Sequence, residues 1–113
     1  MSHITTHVLD VSLGRPAANV SVILEAKSAD GTWADAARGT TDAGGRLRDW
    51  EAAKTMPVGI YRLIFDTRSY FAARKTPTLY PQVIIVFELK DAQEHYHIPL
   101  LLSPFGYSTY RGS

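Results

Sequence analysis

The sequence predicts an all-β chain, an antiparallel β-sandwich of about seven or eight strands with one short helix. Three observations carry that prediction. Apolar and polar side chains alternate with a period of two in one stretch after another, and turn signals rich in Gly, Pro and Asp separate these stretches. A single segment breaks the alternation in favour of helix-forming residues. At 113 residues the chain fits one domain, 1–113, long enough to bury roughly 65% of its unfolded surface in one core.

The first strand is expected over residues 4–10, a β-branched run that puts Ile4, Thr6 and Val8 on one face and Thr5, His7 and Leu9 on the other. Gly14-Arg15-Pro16 is a turn signal. Val20, Val22, Leu24 and Ala26 then alternate with Ser21, Ile23, Glu25 and Lys27 as in a half-buried strand, and Asp30-Gly31 reverses the chain. Residues 32–41 form the returning strand, weakly signalled because of their alanines. The paired glycines of Thr41-Asp42-Ala43-Gly44-Gly45-Arg46 supply positive φ, while Asp42 is placed to bond backbone two residues on. That turn delivers Arg46 at a loop edge. Residues 50–56 read as a short irregular or edge segment. After Pro57-Val58-Gly59 a strand directs Tyr61, Leu63 and Phe65 inward, with Arg62 and Ile64 outward.

Residues 67–75 lose the two-residue period and end in good helix formers, with Tyr70 and Arg74, or Phe71 and Lys75, four apart on one face, so a helix of about two turns is expected there. Pro77 and Pro81 bracket a loop, residues 82–90 form a strongly apolar strand, and Asp91-Ala92-Gln93-Glu94 is read as a polar hairpin connection. The last strand puts Tyr96, Ile98, Leu100 and Leu102 on the core face and His95, His97, Pro99, Leu101 and Ser103 on the opposite one. An edge-bearing sandwich of this kind invites pairing with a second copy.

Composition excludes several classes. The formal net charge is +1 and the basic residues are scattered, which argues against nucleic acid as a partner. No apolar run approaches the ~20 residues of a membrane span. The absence of cysteine rules out disulfides, thiolate catalysis and cysteine-ligated zinc. The first residues lack the features of a signal peptide, which leads to an expectation of a cytoplasmic protein.

The candidate chemistry is imidazole and guanidinium chemistry. His97 projects from the face opposite the core, where its ordinary pKa near 6.5 suits proton transfer, and Arg46 can hold an anion or a developing oxyanion. Three other arrangements compete. His95 with His97, and His3 with His7, have the spacing of a strand-borne zinc site. A serine nucleophile at Ser113 would need a base held rigidly beside it. Phe105, Tyr107 and Tyr110 could stack on a ligand, although packing is the commoner use of such rings.

Four segments also resemble a known family, the 5-hydroxyisourate hydrolases, enzymatic relatives of the hormone carrier transthyretin. These are Thr6-His7-Val8-Leu9-Asp10 with Gly14-Arg15-Pro16-Ala17; Gly45-Arg46; Asp66-Thr67 with Tyr70-Phe71 and Tyr80-Pro81; and His97-Ile98-Pro99-Leu100-Leu101-Leu102-Ser103-Pro104 running on through Tyr107 to Tyr110-Arg111-Gly112-Ser113. The terminal Tyr-Arg-Gly-Ser is the most specific part. The resemblance implies a transthyretin-like sandwich, a homotetramer built as a dimer of dimers, and hydrolysis of 5-hydroxyisourate to 2-oxo-4-hydroxy-4-carboxy-5-ureidoimidazoline in urate degradation; no cofactor or metal is expected. It implies His7, Arg46, His97 and Ser113 as catalytic residues, with His7, Arg46, Tyr110, Arg111 and Gly112 binding substrate.

Opening a cyclic amide with water needs a proton acceptor, a stabiliser for the oxyanion and orientation of a flat ring, and this set supplies all three. The tail is expected to close the pocket, with the Ser113 hydroxyl or terminal carboxylate orienting a histidine. One departure stands out: Gly44-Gly45-Arg46 replaces the family's usual Asp-Gly-Arg, which predicts a looser turn and leaves Arg48 as a substitute cation. The reading from another class is a transthyretin-like small-molecule binding protein without turnover.

Overall fold

The computed structural model describes residues 3–50, 53 and 55–113. Its elements run β1 (His3–Asp10), β2 (Arg15–Pro16), β3 (Ser21–Lys27), β4 (Trp33–Thr40), β5 (Arg46–Leu47), β6 (Gly59–Phe65), α1 (Thr67–Ala73), β7 (Val83–Leu89), β8 (His95–Ser103) and β9 (Gly106–Thr109). One sheet has the order β2-β1-β8-β9 with β5 also paired to β1, and the other has the order β4-β3-β6-β7. The sandwich and the short helix α1 match the expectation. Of the irregular segment expected at 50–56, Glu51, Ala52 and Lys54 lie outside the described residues.

The inward faces are those the alternation predicts. Ile4 and Val8 from β1, Val22 and Leu24 from β3, Leu63 and Phe65 from β6, and Leu100 and Leu102 from β8 are all essentially inaccessible to solvent. They meet in one cluster with Phe71 and Val83. Each fully buried side chain of this size contributes about 1.5–3 kcal/mol, so the sandwich rests on this layer.

Two expectations about connectivity need correction. The sheet is not wholly antiparallel, because β1 and β8 pair in parallel with His3 opposite His95, Thr5 opposite His97 and His7 opposite Pro99. Residues 91–94 do form a polar turn, but it joins β7 of one sheet to β8 of the other and closes no hairpin. Alternation says which face a residue occupies; it carries no information on strand direction or on which sheet a strand enters. Tyr96 makes this crossover definite, since its hydroxyl accepts from the backbone N–H groups of Lys90 and Asp91 at 3.1 and 3.0 Å.

The helix anchors the far end of β1. Asp66 caps it by accepting from the Ser69 N–H, and the Arg74 guanidinium lies 4.3 Å from the Tyr70 ring centre, as the four-residue spacing predicted. The Tyr70 hydroxyl donates to buried Asp10 at 2.6 Å. Burial and that carboxylate push the Tyr70 phenol up to about 12. Burial also pushes Asp10 up, but hydrogen bonds from Ser12, Tyr70 and Leu13 outweigh it and hold the carboxyl below its ordinary value.

Candidate active site

The parallel ladder builds the site by register. Residues paired across a ladder lie on the same side of the sheet, and this register pairs odd-numbered residues with odd-numbered ones, so His3, Thr5 and His7 of β1 share an outward face with His95 and His97 of β8. On the other flank β5 pairs antiparallel with β1 and sets Arg46 opposite His7. Three separate stretches of chain thus converge on one side of one sheet. A cleft of about 240 Å³ opens there, lined by His3, Thr5, Arg46, Arg48, His95, His97 and Ser113 among others.

The turn that delivers Arg46 is firmly held, contrary to the looseness expected from Gly44. Asp42 Oδ1 accepts from the N–H groups of both Gly44 and Arg46 at 2.9 Å. The Asp42 N–H donates to the Arg46 carbonyl and the Gly45 N–H to the Asp42 carbonyl, also at 2.9 Å. An aspartate two places earlier therefore does the work expected of the missing one. Gly45 adopts φ +77, and a Cβ there would collide with the Val8 carbonyl, so only glycine fits. The Val8 N–H in turn donates to the Gly45 carbonyl at 2.7 Å, tying the turn to β1.

Hydrogen bonds assign protons to the imidazoles. His7 Nε2 lies 2.8 Å from the Gly44 carbonyl; a carbonyl only accepts, so His7 carries its proton on Nε2 and leaves Nδ1 bare when neutral. Thr5 Oγ1 lies 2.8 Å from both His95 Nε2 and His97 Nδ1. His3 donates from Nε2 to the Arg48 carbonyl at 3.1 Å and stacks on His95 with ring centres 5.0 Å apart.

The imidazoles of His7, His95 and His97 all favour the neutral form. Burial lowers the pKa of His97, aided by the nearby His95, His7 and Arg46. Burial and Arg46 lower that of His7 against smaller opposing effects of Gly44 and Asp42. Burial, His3 and Arg111 lower that of His95. A neutral imidazole is the form that can accept a proton. Among the described residues no three His, Cys, Asp or Glu side chains converge at metal-ligand geometry, so the histidine pairs singled out for zinc do not assemble a ligand set here.

The tail divides. Residues 106–109 form β9 against β8, and the Gly112 N–H donates to the His97 carbonyl at 2.8 Å, so this segment belongs to the sheet and does not merely follow it. Gly112 packs against the His97 ring so closely that a Cβ would lie 2.5 Å from His97 Cδ2. Ser113 then lines the cleft. Tyr110 and Arg111 turn elsewhere, toward a groove between β7 and β8 that contains Phe87 and Tyr96. There Arg111 bonds Glu94 at 2.7 Å and stacks on the Tyr96 ring at 4.3 Å.

Within this chain His7, Arg46, His97, Gly112 and Ser113 are thus brought together, and Tyr110 and Arg111 are not. Arg48, the substitute cation, lines the cleft as well. Sequence reasoning missed Thr5. Its one available signal was its place on the outward face two residues before His7, which any strand threonine shares.

Comparison with known proteins identifies the family and the fold. The HIUase/Transthyretin family profile matches residues 4–112. A 5-hydroxyisourate hydrolase of Salmonella dublin is 44% identical over 110 residues, covering 97% of this chain and 80% of the relative. Among solved structures, the 5-hydroxyisourate hydrolase of Klebsiella pneumoniae superposes with a TM-score of 0.87 at 36% identity over the full length of both chains. Sea bream transthyretin in complex with thyroxine superposes with a TM-score of 0.90 at 34% identity, covering 96% of this chain and 93% of the other. With the profile spanning nearly its whole length, the chain belongs to the HIUase/Transthyretin family.

Proposed function

We propose that this chain, acting as one domain over residues 1–113, hydrolyses 5-hydroxyisourate to 2-oxo-4-hydroxy-4-carboxy-5-ureidoimidazoline in urate degradation. The observation that carries the reading is the convergence of neutral imidazoles with Arg46 on one sheet face. Backbone shape does not separate the hydrolases from the carriers, since a structure of each superposes closely; the side chains favour turnover.

In the proposed reaction His97 Nε2 takes a proton from water as its oxygen attacks the ring carbonyl. Negative charge developing on that carbonyl oxygen is met by Arg46. The carbon–nitrogen bond then breaks, and the departing nitrogen receives the proton held by the imidazolium. His7 serves as the second proton carrier and orients the flat ring, and Ser113 limits the cleft on the His97 side. No metal or other cofactor is required for these steps.

The active assembly is a homotetramer, a dimer of dimers, that works in the cytoplasm. Two features support self-association. The edge strands β7 and β9 both border the groove that holds Tyr110. Val86, Phe105 and Tyr110 stand well exposed in the single chain. A partner edge seated there would also place Tyr110 and Arg111 against another subunit.

The test is ultraviolet absorbance of freshly generated 5-hydroxyisourate, with and without chelator. The wild-type chain should accelerate ring opening equally in both. His97→Ala and His7→Ala should lower turnover by at least about 10²-fold with the fold intact by circular dichroism. No acceleration by the wild-type chain, combined with tight binding of the substrate, would instead establish a transthyretin-like binding protein.

A further inference from the structure

The threonine between two histidines has one hydroxyl proton and two nitrogen neighbours. Thr5 Oγ1 is 2.8 Å from His95 Nε2 and 2.8 Å from His97 Nδ1, and Thr5 is only 4% exposed, so bulk water cannot replace either contact. When both imidazoles are neutral, Oγ1 can accept from both nitrogens, but the buried hydroxyl proton then has neither of them to donate to; both contacts form with that proton used only if exactly one of the two nitrogens carries a proton. The tautomers of His95 and His97 are therefore linked through Thr5. Either Thr5 donates to His95 and accepts from His97 Nδ1–H, leaving His97 Nε2 bare, or Thr5 donates to His97 Nδ1 and His97 Nε2 carries the proton.

Three observations select the first arrangement. His97 shares its cleft with Arg46 and Arg48, and positive charge there favours a bare nitrogen over an N–H. His95 is exposed, so the Nδ1–H this arrangement gives it can be hydrated at little cost. Once His97 has taken up a proton its Nδ1 must carry hydrogen, and only the first arrangement accepts that without reversing Thr5. The His95 ring is held for this purpose by its stack on His3.

We infer that Thr5 and His95 are positioning residues that hold neutral His97 as its Nδ1–H tautomer and so keep Nε2 free to accept the proton of water. This rests on the assignment of His97 as the base, and the experiment separates the two. Imidazole ¹⁵N NMR of the whole labelled enzyme above about pH 7, where histidine is neutral, should show His97 protonated at Nδ1. Thr5→Val, nearly isosteric, should shift His97 toward the Nε2–H tautomer and lower kcat about 10-fold or more with KM little changed.

Thr5→Ser should restore both readouts. His95→Gln, whose amide oxygen can accept from Thr5, should retain them better than His95→Ala. A wild-type spectrum with His97 protonated at Nε2 would overturn the inference even if Thr5→Val failed to fold, as would an unchanged tautomer in a folded Thr5→Val. A tautomer that moves as expected while kcat stays constant would uphold the coupling and remove His97 from the role of base.

Discussion

The two sheets each turn an arginine outward, and the pair is instructive. On the β3–β6 sheet, Arg62 bonds Glu25 through Nε at 2.7 Å and Nη2 at 2.6 Å, and its guanidinium lies 4.3 Å from the Trp33 ring centre. Its charge is fully engaged within the chain. On the β1–β8 sheet, Arg46 stands among imidazoles held neutral, and the ion pairs among the described residues, Arg38–Asp35, Arg62–Glu25 and Arg111–Glu94, do not include it. A cation already matched by a carboxylate and a ring has little left to offer a ligand, whereas one in no ion pair among the described residues, with Asp42 acting on it only as a nearby charge, keeps most of its field for a guest.

Substituting the two arginines tests that contrast most directly. Arg46→Ala should reduce kcat for 5-hydroxyisourate by about 10²–10³-fold, the effect of losing an oxyanion stabiliser, with little change in Tm. A near-wild-type rate in the spectrophotometric assay would shift the role to Arg48. Gly112→Ala should come next, at about 10-fold or more, because the new methyl group would displace the His97 ring. Full activity in that variant would show that the ring tolerates the shift.

Acidification should act on one face only, since between about pH 5 and 7 imidazoles titrate while guanidinium groups stay charged. The pKa values of His7, His95 and His97 are lowered on folding, so the unfolded chain takes up protons first as pH falls below about 6.5. Stability is therefore complete above that value and declines as pH drops through the lower, folded values; kcat/KM should retain its base form into the same window. Thermal melts and rates across this range measure both, and an acid limb above the ordinary imidazole value would contradict the lowered pKa. Smallest for catalysis should be Arg62→Gln, which should leave kcat unchanged while costing about 1–2 kcal/mol of stability by denaturant melt.

Much of this was readable along the chain because alternation is a local property. It turned Ile98, Leu100 and Leu102 inward and His97 outward, and the turn chemistry placed Asp42 under the loop that presents Arg46. Long-range pairing leaves no such local trace. Nothing in residues 4–10 or 95–103 announces that they run in parallel, and the turn at 91–94 looks the same whether it closes a hairpin or crosses between sheets. Thr5 was invisible for a related reason, since its significance depends on two imidazoles that reach it only through that pairing. The split course of the tail, with Gly112 against His97 and Arg111 against Tyr96, likewise depends on where neighbouring strands lie.

The position of β1 has a kinetic consequence. It is zipped to β8 across some 92 residues of sequence and on its other side to β5, so the histidines and Arg46 meet only when the most distant contacts of the chain have closed. Loop closure of that length belongs to the slow part of β-protein folding, on the order of milliseconds to seconds. Activity should thus be the last property to appear on refolding and the first to vanish when β1 peels away, which makes turnover itself a probe of how that strand docks.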